Sequence, residues 1–295
     1  MKNKSVIKRC VLIFASAAVL IYGIILGYVY GFWGHFTKMN DKDFRTVYEI
    51  VCKNTDIYFY HIRSIKVNDE VITVVLKLNY VPYLFTESDS DAVNFYTTFN
   101  TYTELKDRFK NKKIYVSTGA IGSSYSACEI DKGQLYINRK CSPDNVCELS
   151  FDEILEQVCL ADNIYKISYG WNATYYEFNS VTKQLPTNHS VKSLEGFSVY
   201  EHNFSEIKSF QGLETIDLAF INDSKDNVVD LDFVNDLINL ESLIIHADSM
   251  RIDIADVRHN KLKKFTLHTN SCSQELEKQL SDAFPNAEIS IVCDY

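Results

Sequence analysis

Five times between residues 164 and 267 the chain repeats one apolar spacing, with apolar residues at the first, fourth and sixth positions of a six-residue pattern. The copies are Ile164-Tyr-Lys-Ile167-Ser-Tyr169, Leu194-Glu-Gly-Phe197-Ser-Val199, Leu213-Glu-Thr-Ile216-Asp-Leu218, Leu240-Glu-Ser-Leu243-Ile-Ile245 and Leu262-Lys-Lys-Phe265-Thr-Leu267. A shorter sixth copy is Ile289-Ser-Ile291. Self-similarity of this kind predicts small units that cannot bury their apolar faces alone and must stack side by side. The alternation at the end of each copy predicts a short strand.

The pattern resembles the leucine-rich repeat, LxxLxLxxN, over about residues 149–295. At the Asn position, Asn172 and Asn270 match, Asp248 is close, and His202 and Ile221 depart. In that family the Asn side chain satisfies backbone groups at the turn leaving the strand. The resemblance implies an α/β solenoid whose third and fifth pattern positions look out from a concave sheet. Among those positions and the first residue after each copy, the expected ligand contacts are Lys166, Tyr200, Asp217, His246, Thr266 and His268. Parallel neighbours about 4.8 Å apart would make His246 and His268 adjacent. Two imidazoles without a third ligand at metal-like spacing predict no metal site, and no cofactor motif is present.

Helix signals flank the repeats. Ser150 with Glu153, and Ser271 with Gln274, read as capping boxes. Phe233, Val234, Leu237 and Ile238 read as a helix-like link between strands, and Leu276, Leu280 and Phe284 as the face of a last helix. Residues 40–148 read as a separate α+β unit. It has a helix over Asp41–Asn54, a hairpin over Ile57–Val67 and Val71–Val81, and a helical stripe from Ala92 to Phe109 through Phe95, Phe99, Tyr102 and Leu105. Short strands are expected near Lys113–Ser117 and Gln134–Asn138.

The N-terminus carries a different signal. Lys2, Lys4, Lys8 and Arg9 precede a run from Val11 to Phe32 with no charged residue. Twenty-two helical residues span about 33 Å, so residues 10–33 predict an uncleaved transmembrane signal anchor. The basic segment 1–9 would stay in the cytoplasm and the domain that follows would lie outside it, in a single-pass cell-membrane protein. Gly23, Gly27 and Gly31 lie four apart and predict a helix–helix contact, hence a homodimer through that helix.

The whole chain has 30 basic and 39 acidic residues. Four of the basic ones fall in the first nine, so the remainder holds 26 against 39, a net of −13. That balance argues against nucleic acid as a partner. Residues 201–260 hold 13 acids against 4 bases and read as a solvated acidic face, with a basic partner as the alternative. Seven cysteines follow the apolar run; spacing suggests disulfides Cys141–Cys147 and Cys272–Cys293. Four Asn-x-Ser/Thr triplets begin at Asn172, Asn188, Asn203 and Asn222, about what chance supplies. No HExxH, GxSxG, CxxC or P-loop occurs; Ser124, Ser126 and Cys128 are the nucleophiles that could serve an envelope hydrolase in residues 40–148. The expected function is therefore a non-enzymatic, membrane-anchored binding protein presenting a repeat surface to a protein or glycan. The alternatives are that hydrolase and a structural subunit of a membrane complex.

Overall fold

The computed structural model describes residues 16–23, 38–55, 60–78, 90–120, 128–137, 151–161, 163–169, 185–200, 205–221, 228–248 and 250–293. The chain is α/β and falls into two compact units, residues 1–87 with 97–125, and residues 88–96 with 126–295.

The expected transmembrane helix over residues 10–33 is overturned. Among the described residues no helix is long and apolar enough to cross a membrane. The described part of that run is a helix over residues 16–23, in which Val19, Leu20, Ile21 and Tyr22 are exposed. The described residues 16–23 alone cover only about 12 Å of a core about 30 Å thick. Of the glycines expected at a helix–helix contact, Gly23 has nothing of its own chain within 4 Å of a Cβ built on it, and Gly27 and Gly31 lie outside the described residues.

The first unit starts with helix α1 (Lys42–Asn54). The Asp41 side chain caps it, accepting from the Phe44 N–H at 3.0 Å, and Phe44, Val47, Ile50 and Val51 form its buried face. Strands β1 (Tyr60–Val67) and β2 (Val71–Leu78) pair antiparallel. Asn68 shapes their turn by accepting from the Glu70 and Val71 N–H groups at 3.0 and 2.6 Å. On β2, Ile72, Val74 and Leu76 are fully buried, as a period of two requires for a strand covered on one face. Strand β3 (Lys113–Ala120) lies parallel to β2, reached through helix α2 (Ser90–Arg108), whose residues from Thr97 onward belong to this unit. The Thr98 and Thr118 hydroxyls share a buried hydrogen bond of 3.0 Å between α2 and β3.

Lys53 and Asn54 at the end of α1 both donate to the Glu104 carboxylate on α2, at 3.0 and 2.9 Å. The Asn54 amide first, and then the Lys53 ammonium, hold the Glu104 carboxyl below its ordinary range. A depressed carboxyl stabilises the fold above its unfolded pKa, and that contribution disappears as pH falls through the folded value. Replacing Glu104 with Gln should therefore lower stability at pH 7 and leave it unchanged well below pH 4, as read from urea unfolding at a series of pH values.

The second unit opens with the hairpin β4 (Cys128–Asp131) and β5 (Gln134–Ile137). Its turn places Lys132 at φ 52° and Gly133 at φ 91°, both left-handed, as a tight two-residue hairpin turn demands. Helix α3 (Phe151–Ala161) follows, burying Ile154, Leu155 and Val158. After it, β6 (Lys166–Tyr169), β7 (Ser193–Tyr200), β8 (Thr215–Ile221), β10 (Ser242–His246), β12 (Lys264–Thr269) and β13 (Glu288–Cys293) lie side by side, each parallel to the next, and β5 pairs with β6. Within this unit the antiparallel β4–β5 pair makes the sheet mixed. On its other side run short links: 3-10 turns at Ser205–Ser209 and Asp232–Asp236, the parallel pair β9 (Val228–Asp230) and β11 (Arg251–Asp253), and helix α4 (Gln274–Ala283). Ser273 caps α4 by accepting from the Leu276 N–H at 3.1 Å, two residues beyond the expected Ser271.

The apolar pattern positions fill the core. Ile164, Ile167, Leu213, Ile216, Leu240, Leu243, Leu262 and Phe265 are fully buried, and Phe265 stacks on Phe284 with ring centroids 5.1 Å apart. Each entry to a strand is built alike. The Lys192 carbonyl accepts from the Glu214 and Thr215 N–H groups at 2.8 and 2.9 Å, and Glu214 accepts from Glu241 and Ser242 at 2.9 and 3.0 Å. Glu241 in turn accepts from Lys263 and Lys264 at 2.8 and 3.1 Å.

Two buried side chains, each five residues before a strand, make a second set of ties. Asn188 accepts from the Val191 N–H at 2.8 Å and donates to the Val158 carbonyl at 3.3 Å. His259 Nδ1 accepts from the Leu262 N–H at 3.1 Å, and its Nε2 lies 2.9 Å from the Leu237 carbonyl. This pattern requires the neutral Nε2–H tautomer of His259, since a backbone N–H and a backbone carbonyl flank the ring. With Asn188 only 1% exposed and its amide engaged at both ends, its triplet is closed to glycosylation in the folded chain. Asn270, by contrast, is exposed, and the buried Thr269 hydroxyl beside it accepts from the Ser271 N–H at 3.1 Å. Replacing His259 or Asn188 with Ala should cost about 2–4 kcal/mol in urea unfolding, because a buried N–H and a buried carbonyl are both orphaned. Asn270→Ala should stay within about 0.5 kcal/mol.

Candidate functional site

The core-facing residues of β6–β13 alternate with a polar face, and register sets its rows. At the strand starts, Lys166, Ser193, Thr215, Ser242, Lys264 and Glu288 are aligned. One step along, Asp217, Ile244, Thr266 and Ser290 are aligned, and after them Ala219, His246, His268 and Val292. Most of these side chains are half-buried while their sequence neighbours on the other face are closed to solvent.

Three of the expected contact residues meet on this face. His246 Nε2 lies 3.2 Å from Asp217 Oδ1, and both side chains are about four-fifths covered (21% and 16% exposed). The His246 and His268 rings stack with centroids 4.3 Å apart and planes 12° from parallel. Thr266 sits on the strand of His268, two residues earlier, beside Ile244. With its proton on Nε2, His246 donates to the carboxylate, leaving Nδ1 as an acceptor; the stacked pair adds a flat, polarisable surface. Such a row can fix a ligand by hydrogen bonds and by stacking. Among the described residues no group of three or more His, Cys, Asp or Glu side chains could hold a metal ion.

Lys166 lies apart, in an ion pair of 2.6 Å with Glu195, whose other oxygen accepts from the Ser193 hydroxyl at 2.9 Å. The spacing had pointed to Gly196 as the outward position of β7. Instead the copy sits three residues earlier, with Ser193 beside Lys166 and Thr215 and Leu194 beside Ile167 and Ile216, so Glu195 pairs with Ser168. The register then shifts before Phe197, where Gly196 takes φ 75°, a left-handed conformation that glycine adopts without strain. A glycine inside an otherwise alternating strand was the available sign of this bulge. The Tyr200 backbone pairs with Ile221 at the end of β7, and its side chain lies outside the described residues.

The remaining expected residues are dispersed. Cys272, before α4, forms a disulfide with Cys293 at the end of β13, whereas Cys141 and Cys147 lie outside the described residues. Ser124 and Ser126 also lie outside them, and Cys128 is buried on β4 at 1% exposure. Comparison with known proteins found no matching family model, no matching curated protein and no matching solved structure. The Cys272–Cys293 bond closes a loop with a sequence separation of 21. Its removal by Cys272→Ser should lower unfolding free energy by about 3 kcal/mol, measured against the parent chain without reductant.

Proposed function

We propose that the second unit is a recognition module and that the polar face of β6–β13 binds a protein or glycan ligand. The carrying observation is the Asp217–His246–His268 row, which presents hydrogen-bonding and stacking groups on a rigid array of parallel strands whose opposite face is packed. Extended sheets of this kind offer a broad contact surface, which suits a macromolecule better than a small substrate. The reading is one of binding: what favours it is a row of groups spread over three strands, where a reacting centre would need them to converge on one point. Lys166, with Glu195, and Thr266 would extend the contact to both sides. The Cys272–Cys293 bond favours a working place outside the cytoplasm, where disulfides persist.

The test is photocrosslinking in cells, with a photoreactive residue at Thr266 on the polar face or at the exposed Lys278 on α4, and adducts identified by mass spectrometry. One discrete adduct from Thr266, lost when His246 and His268 are both changed to Ala and missing from Lys278, is the expected result. Equal trapping from both positions, or trapping that ignores the two histidines, would remove the proposal.

A further inference from the structure

The small sheet made by β9 and β11 stops after two strands, and the place of a third is a cleft of about 680 Å³. One wall is β11 itself with its flanking Met250 and Ile254; the other is α4, contributing Glu275, Leu276 and Asp282. The hydrogen bond from the Leu231 N–H to the Asp253 carbonyl, 3.1 Å, fixes the phase of the β9–β11 ladder. In a parallel pair, successive residues turn their backbone groups to opposite sides. Arg251 and Asp253 therefore turn theirs to β9, and Ile252 turns its N–H and carbonyl toward the cleft.

An open strand edge is a template for one more strand. The same unit shows why none is supplied from within: the segment after β12 coils into α4 instead of forming a third short strand. The chemistry of a partner follows from the walls. Ile252 is buried and Arg251 and Asp253 are exposed, so an added strand would alternate too, one face meeting Leu276 and the other meeting solvent-side charges. Those charges are mainly acidic. Asp253, Glu275 and Asp282 line the cleft against Arg251 and Arg258, and Asp253 belongs to a wider acidic group with Asp230, Asp232 and Asp256. Desolvation raises the Asp232 carboxyl above its ordinary range, and repulsion from Asp230, Asp256 and Asp253 adds to the rise, which marks a crowded field that a cation would relieve.

We propose that β11 accepts an extended peptide segment of alternating basic and apolar residues, which adds as a third strand in the cleft between β11 and α4. Main-chain bonds to Ile252 supply the pairing, and the acidic surroundings select the charge. This surface is distinct from the polar face of β6–β13.

The test uses the full chain and two capped heptapeptides, one alternating Lys with Val and one alternating Glu with Val. At saturation the Lys/Val peptide should slow hydrogen exchange at the Ile252 amide by about tenfold or more, while amides of β6–β8 stay unchanged. A Glu275→Lys, Asp282→Lys variant, altered only at exposed positions, should bind that peptide at least about fivefold more weakly. Failure of the Lys/Val peptide to bind, binding without protection of Ile252, or equal binding of the Glu/Val peptide would overturn the proposal.

Discussion

A chain that winds into stacked parallel strands must bury, at every return, backbone groups that no strand can reach. Water cannot satisfy them there, so side chains must. Asn188 and His259 perform this task at equivalent positions, each joining a turn of its own repeat to a carbonyl of the repeat before. The paired backbone donors at Glu214/Thr215, Glu241/Ser242 and Lys263/Lys264 repeat the same arrangement at the strand entries. The register of the sheet depends on these ties. Apolar burial alone draws the strands together but does not choose their alignment, and the alignment brings Asp217, His246 and His268 onto one row.

Much of this architecture was legible in the residues. Spacing of the apolar positions located the strands because each copy alternates, and the buried residues Ile216, Leu218, Leu243 and Ile245 occupy the places that alternation assigns. The adjacency of His246 and His268 followed from their equal phase within successive copies, and their rings are stacked. The helix α1 was legible from its cap, since Asp41 precedes a buried stripe at helical spacing.

What was not legible depends on single backbone events or on groups distant in sequence. The β7 copy starts at Val191, three residues before the start its apolar spacing suggests. The extra residue of the Gly196 bulge is what made Leu194, Phe197 and Val199 look like a copy, so Glu195, and with it the pair to Lys166, could not be read from spacing. Asn188 looked like one of several chance triplets, and no spacing or motif singles out His259; their partners lie 30 and 22 residues away. The apolar run near the N-terminus reads as a spanning helix by composition, yet among the described residues no helix is long and apolar enough to cross a membrane, and composition does not set helix length.

The Gly196 bulge has a further consequence for how such an array can vary. A strand shows opposite faces to odd and even residues, so one inserted residue would ordinarily turn everything after it inside out. A glycine in a left-handed conformation absorbs that residue locally and restores parity within the same strand. In register the copies begin at Ile164, Val191, Leu213, Leu240 and Leu262, so their lengths alternate between a longer and a shorter repeat and the bulge is taken up inside one strand of a continuous sheet. A strand can thus gain a residue without a change in its neighbours, while its apolar side stays turned inward.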